Sequence, residues 1–162
     1  MDTFVTGLAL AVLVGSMLMA GTFFAFSNFV MKALAGLPAA HGAAAMQSIN
    51  RVVLNPLFLA AFAGTALVAI ALAGVSMIEW RGAEHAWYVA AAACYGLGTF
   101  AVTVTRNVPL NEALARAGTD EAGVLWPHYV ARWVPWNHVR TVAAVLAVLA
   151  CTAGLAEAAR AG

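Results

Sequence analysis

Charge is what this sequence has least of. Of its 162 residues only 9% are Asp, Glu, Lys or Arg, against roughly a quarter in a soluble domain. With a net charge of +1 it has neither the basic surface that nucleic acid requires nor an acidic one for cationic partners, so nucleic-acid binding is excluded. Cysteine is equally scarce: Cys94 and Cys151 lie inside apolar runs and read as buried thiols rather than a disulfide or a metal site. The histidines, at positions 41, 85, 128 and 138, are scattered, with no paired-His helical spacing and no carboxylate at ligand spacing. Metal ligation is therefore not expected, and the apolar runs lack the histidines a haem would need. A Gly-x-Ser-x-Gly turn and a glycine-rich phosphate loop are also missing, which leaves nucleophilic triads and nucleotide binding without support.

What the chain does have is apolar length. Hydrophobic residues make up 64%, mean hydropathy is +0.87, and the composition is that of an integral membrane protein built as a single domain, 1–162. The uncharged run 3–31 is about twice the length of a signal-peptide core, and Asp2 stands where such a signal carries basic residues, so it reads as a retained span. Spans are expected at about 3–31, 55–78, 86–105 and 141–159. The expected fold is all-α, an integral membrane four-helix bundle with two helical re-entrant or interfacial loops on one face.

In the first of these loops Gln47, Asn50 and Arg51 share one helix face, while Met46, Ile49 and Val53 cover another. Asn55 followed by Pro56 reads as an N-cap and first helical residue. Gly7, Ala11 and Gly15, the pair Ala60 and Gly64, and the pair Ala92 and Gly96 are expected to be close-packing faces. The tight connector 79–85 is expected to leave His85 exposed. The second loop, 106–140, is too long to be structureless. It is expected to hold one short helix from Asn107 and Pro109 to Gly118 and another capped by Thr119 or Asp120. Because the last apolar run is short, roughly 16 residues against the ~20 that cross a bilayer, His138 and Arg140 are expected to be drawn toward the headgroups. Lys32, Arg51, Arg106, Arg116, Arg132 and Arg140 fall on the loop side and only Arg81 and Arg160 on the other. The positive-inside rule then puts the loops in the cytoplasm and the termini outside, in the cell inner membrane.

Three polar stretches, 46–51, 106–111 and 133–140, thus meet at one mouth of the bundle. They bring Gln47, Asn50, Arg51, Arg106, Asn107, Asn111, Trp136, Asn137, His138 and Arg140 together. Amides and guanidinia suit a carbonyl, phenolate or enolate oxygen better than a metal. His138 is the one plausible base beside them.

The stretches 26–31 (Phe-Ser-Asn-Phe-Val-Met), 46–50 (Met-Gln-Ser-Ile-Asn), 107–111 (Asn-Val-Pro-Leu-Asn) and 136–140 (Trp-Asn-His-Val-Arg) stand in this order between apolar spans. In this the chain resembles the anthrone oxygenase family of small integral membrane proteins. The resemblance implies oxidation of an anthrone to an anthraquinone with molecular oxygen as co-substrate and no metal or flavin cofactor. In that setting His138 would deprotonate the substrate, and Asn137, Arg140, Asn107 and Asn111 would hold the developing oxyanion. Trp136, Trp133 and Phe26 would sandwich a flat substrate arriving from the lipid, with Gln47, Asn50, Arg51 and Arg106 around it. The implied partners are the bilayer and a lipophilic aromatic small molecule, and the fold is compatible with a homo-oligomer. The alternative is a membrane scaffold, an accessory protein or a lipophile carrier. Trp133 and Trp136 then belong to an interfacial belt, Arg140 anchors a lipid phosphate and Asn137 caps the last span.

Overall fold

The computed structural model describes residues 3–161, and within them the chain is helical apart from short connections, with no strand. Asp2 and the side chains of Thr119 and Asp120, with the capping expected of them, lie outside the described residues. Helices α1 (Thr3–Ala35), α3 (Pro56–Ile78) and α4 (Ala83–Arg116) are long and apolar enough to cross a membrane, as is α5 (Thr119–Ala161) over Glu121–Ala161. A shorter helix, α2 (Ala39–Val52), joins the first two. The chain is an integral membrane protein, and its fold is the expected all-α bundle.

Three apolar layers fix how the helices stand. At one end Val5 and Ala9 of α1 meet Leu72 of α3, Tyr88 of α4 and Cys151 of α5, so the start of the first helix and the end of the last lie beside the α3–α4 connector. In the middle Met19, Phe23, Phe62, Tyr95 and Ala147 pack together. At the far end Met31, Met46, Leu114, Trp126, Tyr129 and Trp133 form a third core, in which α2 lies across the ends of α1, α4 and α5. The order is up, down, up, down with α2 as a cap.

The expected 106–140 loop is instead helix. Only residues 117–118 separate α4 from α5, which runs unbroken for 43 residues although Pro127 and Pro135 stand inside it. Both prolines are exposed, and each removes one intrahelical N–H donor. Packing outweighs the proline penalty. Ala122, Trp126, Tyr129, Trp133, Asn137, Arg140, Ala144, Ala147 and Cys151 follow each other at steps of three or four, and every one is buried, making one continuous helical stripe. In α4 the buried positions Ala91, Tyr95, Thr99 and Asn107 instead recur at multiples of four. That spacing drifts off one face of an ordinary 3.6-residue turn. The wider turns of Cys94–Ala101 and Thr103–Asn107, which are π-helical, hold it in register.

Several local expectations meet their test here. Asn55 caps α3, its Oδ1 accepting from the Phe58 N–H at 3.0 Å. Both cysteines are free thiols, Cys151 fully buried. His85 is buried rather than exposed, because the first turn of α4 folds it edge-on against Tyr88 with Nε2 3.5 Å from Glu84. Of the glycines in the expected close-packing stripes, Gly15 makes a close helix contact and Gly7, Gly64 and Gly96 do not, while Gly98, outside those stripes, makes one too. A β-carbon at Gly15 would overlap Thr65 and one at Gly98 would overlap Ala143, whereas at Gly7, Gly64 and Gly96 it would meet nothing within 4 Å.

Gly15→Leu and Gly98→Leu are therefore expected to lower stability in detergent by about 1–3 kcal/mol each through overpacking. Gly7→Leu and Gly64→Leu should leave the melting temperature near that of the parent. A loss at Gly7 as large as at Gly15 would show that another protein surface covers that face.

Candidate functional site

Between the middle and cap layers the helices leave a chamber of about 190 Å³. Phe58 and Phe62 of α3 form one wall as stacked rings 6.0 Å apart, backed by Phe100 at 5.2 Å from Phe62. Phe23 and Phe26 of α1, Met46 and Ile49 of α2, and Trp133 of α5 line the remainder, with Phe26 and Trp133 5.8 Å apart. The polar groups that reach it are few: Thr22, Asn50, Thr103, Asn111 and Arg140. Such a space, apolar with a handful of placed polar groups, is the usual form of a small-molecule site.

Arg140 is its centre. The buried stripe of α5 carries it inward at 4% exposure, and its position is overdetermined. Nη2 donates to the Asn137 Oδ1, Nη1 donates to the Thr103 hydroxyl at 3.3 Å, and the guanidinium lies 4.2 Å from the Phe23 ring centroid and 5.0 Å from that of Trp133. Asn137 is the bracket behind it. Its Nδ2 donates to the Phe23 carbonyl at 2.8 Å and to the Ser27 hydroxyl at 2.7 Å, tying α5 to the π-helical turn Phe26–Val30 of α1. Thr141 extends the link, donating to the Asn137 carbonyl at 2.8 Å and lying 3.1 Å from the Ser27 hydroxyl. Among the described residues no carboxylate pairs with Arg140, and its Nε, though buried, has no hydrogen-bond partner.

The second polar corner is Asn111, whose Oδ1 accepts from the Tyr129 hydroxyl at 2.8 Å and from the Trp133 indole N–H at 2.9 Å. With its oxygen doubly engaged, the amide nitrogen of Asn111 remains as a donor. Asn50 also lines the chamber beside Tyr129, its Nδ2 buried and without a hydrogen bond of good geometry. Asn107 holds the frame, donating to the Trp133 carbonyl at 3.3 Å while its own Oδ1 stays unmatched. The outcome is a chamber with several donors around one cation, in a mostly apolar lining that screens charge less than bulk water does.

Of the residues singled out from the sequence, Phe26, Asn50, Asn111, Trp133 and Arg140 line the chamber, and Asn107 and Asn137 support it from behind. The others lie elsewhere. His138 is exposed, because helical phase that points Asn137 and Arg140 inward turns the residue after Asn137 by about 100°. Arg51 and Arg106 are exposed too, and Arg106 lies over the half-buried Trp136 ring at 4.8 Å. Gln47 donates to the carbonyls of Leu114 and Ala117, at 2.7 and 3.3 Å, and so fastens α2 to the end of α4. The carboxylate next to Asn111 in the chain, Glu112, pairs with Arg116 at the surface. Among the described residues no imidazole or carboxylate lines the chamber. Sequence reasoning missed Phe23, Ser27, Thr103 and Tyr129. The three-and-four spacing from Ala122 to Cys151 was the signal that would have found Tyr129 and taken His138 out.

A family model described as anthrone oxygenase matches residues 46–150, well over half of the chain and all of the chamber except its α1 wall. No curated protein and no solved structure matches it.

Because Arg140 is a buried cation without a counter-charge, Arg140→Met is expected to leave the melting temperature unchanged or raise it. Asn137→Ala should instead cost about 1–3 kcal/mol, since it frees the Phe23 carbonyl, Ser27 and the guanidinium at once. Thermal unfolding in detergent separates the two, and an equal loss in both variants would make Arg140 a structural member of the bundle.

Proposed function

The chain belongs to the anthrone oxygenase family, and from that membership we propose that the chamber beside Arg140 binds a lipophilic aromatic ketone or phenol of the anthrone type and oxidises it with molecular oxygen. Membership supports an oxygenase-type function in general. The observation that carries the finer reading is the buried guanidinium, held on three sides, with a free Nε and no carboxylate, beside an aromatic-walled space.

An anthrone carries a methylene between two aryl rings, and its conjugate base spreads the charge onto the carbonyl oxygen. A fixed cation in a water-poor site favours that anion over the neutral ketone, so Arg140 acts by making the bound substrate more acidic. With no imidazole or carboxylate among the described residues that line the chamber, the proton passes to a water molecule held inside it, and His138 has no part in the step. The anion then gives one electron to O2, and the radical and superoxide combine at the same carbon to form a C–O bond. Protonation yields a hydroperoxide. Loss of the second proton from that carbon, with cleavage of the O–O bond, leaves a new carbonyl and water. One oxygen atom ends in the quinone and the other in water.

In this reading Asn50 and Asn111 hold the substrate oxygens and Trp133, Phe26 and Phe23 cover its faces. Asn107 and Asn137 act as positioning residues. The proposal has no resident metal or flavin: among the described residues no three His, Cys, Asp or Glu side chains come together, and the substrate anion is itself the electron donor. We place the cap layer in the cytoplasm and both termini outside, on the strength of the six basic residues on the cap side.

Oxygen uptake by purified protein with anthrone tests the chemistry. Arg140→Met should lower kcat by about 10²–10³, the loss expected when one oxyanion-stabilising group is removed, and His138→Ala should keep the parental rate. Full activity in Arg140→Met, or its loss in His138→Ala, would sink this mechanism, and no uptake by the parent would favour a scaffold. Single cysteines added at Gly118 and at the C-terminus, in intact cells, should react with an impermeant maleimide only at the C-terminus; the opposite pattern reverses the orientation.

A further inference from the structure

The chamber has a polar inner wall and an apolar rim. Arg140 and Trp133 stand on the buried side at 4% exposure each, whereas Leu54, Leu59 and Val104, which also line it, are 65%, 42% and 48% exposed. These three come from the α2–α3 junction and from α4, so the opening lies between those helices. Asn55 and Pro56 begin α3, and its 23 residues, at ~1.5 Å each, match the ~30 Å hydrocarbon core. Leu59 therefore sits about one turn inside the edge of the bilayer. The rim runs into surfaces that face lipid along the same helices, with Leu57, Leu67 and Ile70 on α3 and Leu97 on α4 all strongly exposed. Deeper in the membrane the gap closes where Phe62 stacks on Phe100.

A passage to water would carry mainly polar side chains at its lip, whereas the most exposed lining here is leucine and valine, and the Thr22 hydroxyl is turned back to the Leu18 carbonyl at 2.8 Å. We propose that the ligand is drawn sideways out of the membrane, between Leu54 and Leu59 on one side and Val104 on the other. It is a flat, neutral aromatic lipophile that becomes an anion only on reaching Arg140. This rests on the reading of the chamber as the substrate site. The physical reasons are two. A ligand of this class is concentrated in the bilayer by the hydrophobic effect, which spares it a desolvation step. A charged form would cross the apolar rim only at a cost of several kcal/mol, so ionisation belongs inside, where a counter-charge waits. The orphaned Nε of Arg140 and Nδ2 of Asn50 are the groups it meets there.

The experiment follows quenching of Trp133, left as the only tryptophan by replacing the other four with Phe, in lipid nanodiscs. The probe is a neutral brominated anthracene dissolved in the lipid. It should quench Trp133 strongly, and filling the rim with Leu59→Phe and Val104→Phe should remove most of that quenching, while Leu67→Phe, elsewhere on the lipid face, should not. Acrylamide, confined to water, should quench weakly in all three. Unchanged quenching by the anthracene in the filled-rim protein, or strong acrylamide quenching, overturns the lateral route. Neither readout needs turnover, so the route can fail while the oxygenase reading stands. If the single-tryptophan protein does not fold, the two rim substitutions in the otherwise unaltered chain should raise KM for anthrone severalfold with kcat unchanged; a fall in kcat at constant KM counts against the route.

Discussion

A guanidinium buried in a membrane bundle, with no carboxylate paired to it among the described residues, is the constraint from which the rest of this structure follows. Desolvating a cation costs several kcal/mol even after relaxation, and here the cost is offset by a bracket of neutral groups: the Asn137 amide, the Thr103 hydroxyl and the faces of Phe23 and Trp133. Each of these must be supplied by a different helix or a different turn. Asn137 can serve Arg140 only because its other edge is anchored to α1 through Phe23 and Ser27. Thr103 can accept from Arg140 because its own hydrogen is already given to the Thr99 carbonyl at 2.7 Å.

The irregular helices serve the same end. Two π-helical segments, Phe26–Val30 and Thr103–Asn107, flank the chamber, supplying Phe26 and Thr103 to its lining and Ser27 and Asn107 to the frame behind it. A π-turn costs hydrogen-bond geometry, and such turns recur where a helix must present a functional side chain off its regular phase. Next to the second of them Pro109 stands near the start of a fresh α-helical turn, which spares the helix a break. The cap layer adds what four spans alone lack. Trp126, Tyr129 and Trp133 stack in sequence on α5, with centroids 5.5 and 6.3 Å apart, and this ladder fixes the indole that donates to Asn111.

Chemistry and membrane fit together through one contrast. The chamber sets Arg140 and the amides of Asn50 and Asn111 among aromatic and aliphatic walls, with Leu54, Leu59 and Val104 exposed on its outer side; in the proposed reading a substrate meets the cation after it has left bulk lipid and before it has met bulk water. Low dielectric strengthens the attraction between Arg140 and an anion formed in place. It also leaves little water to compete for the orphaned donors of Arg140 and Asn50.

Composition alone determined that this chain is helical and membrane-embedded, because a protein with so few charges and such long apolar runs has no other way to satisfy its backbone. The same reading located Asn107, Asn111, Asn137 and Arg140, since polar groups beside apolar spans are costly unless they act or bind. Which of them face the chamber was decided by tertiary packing. His138 and Arg140 are two residues apart and equally able on paper, yet helical phase buries one and exposes the other. The length of α5 was also not readable locally: two prolines and a polar run argue for a loop, and only the aromatic contacts of Trp126, Tyr129 and Trp133 with α2 and α4 outweigh them. Local signals record what each residue prefers by itself, whereas the position of a buried cation depends on groups such as Asn137 and Phe23, which lie 114 residues apart along the chain and meet only once the bundle has closed.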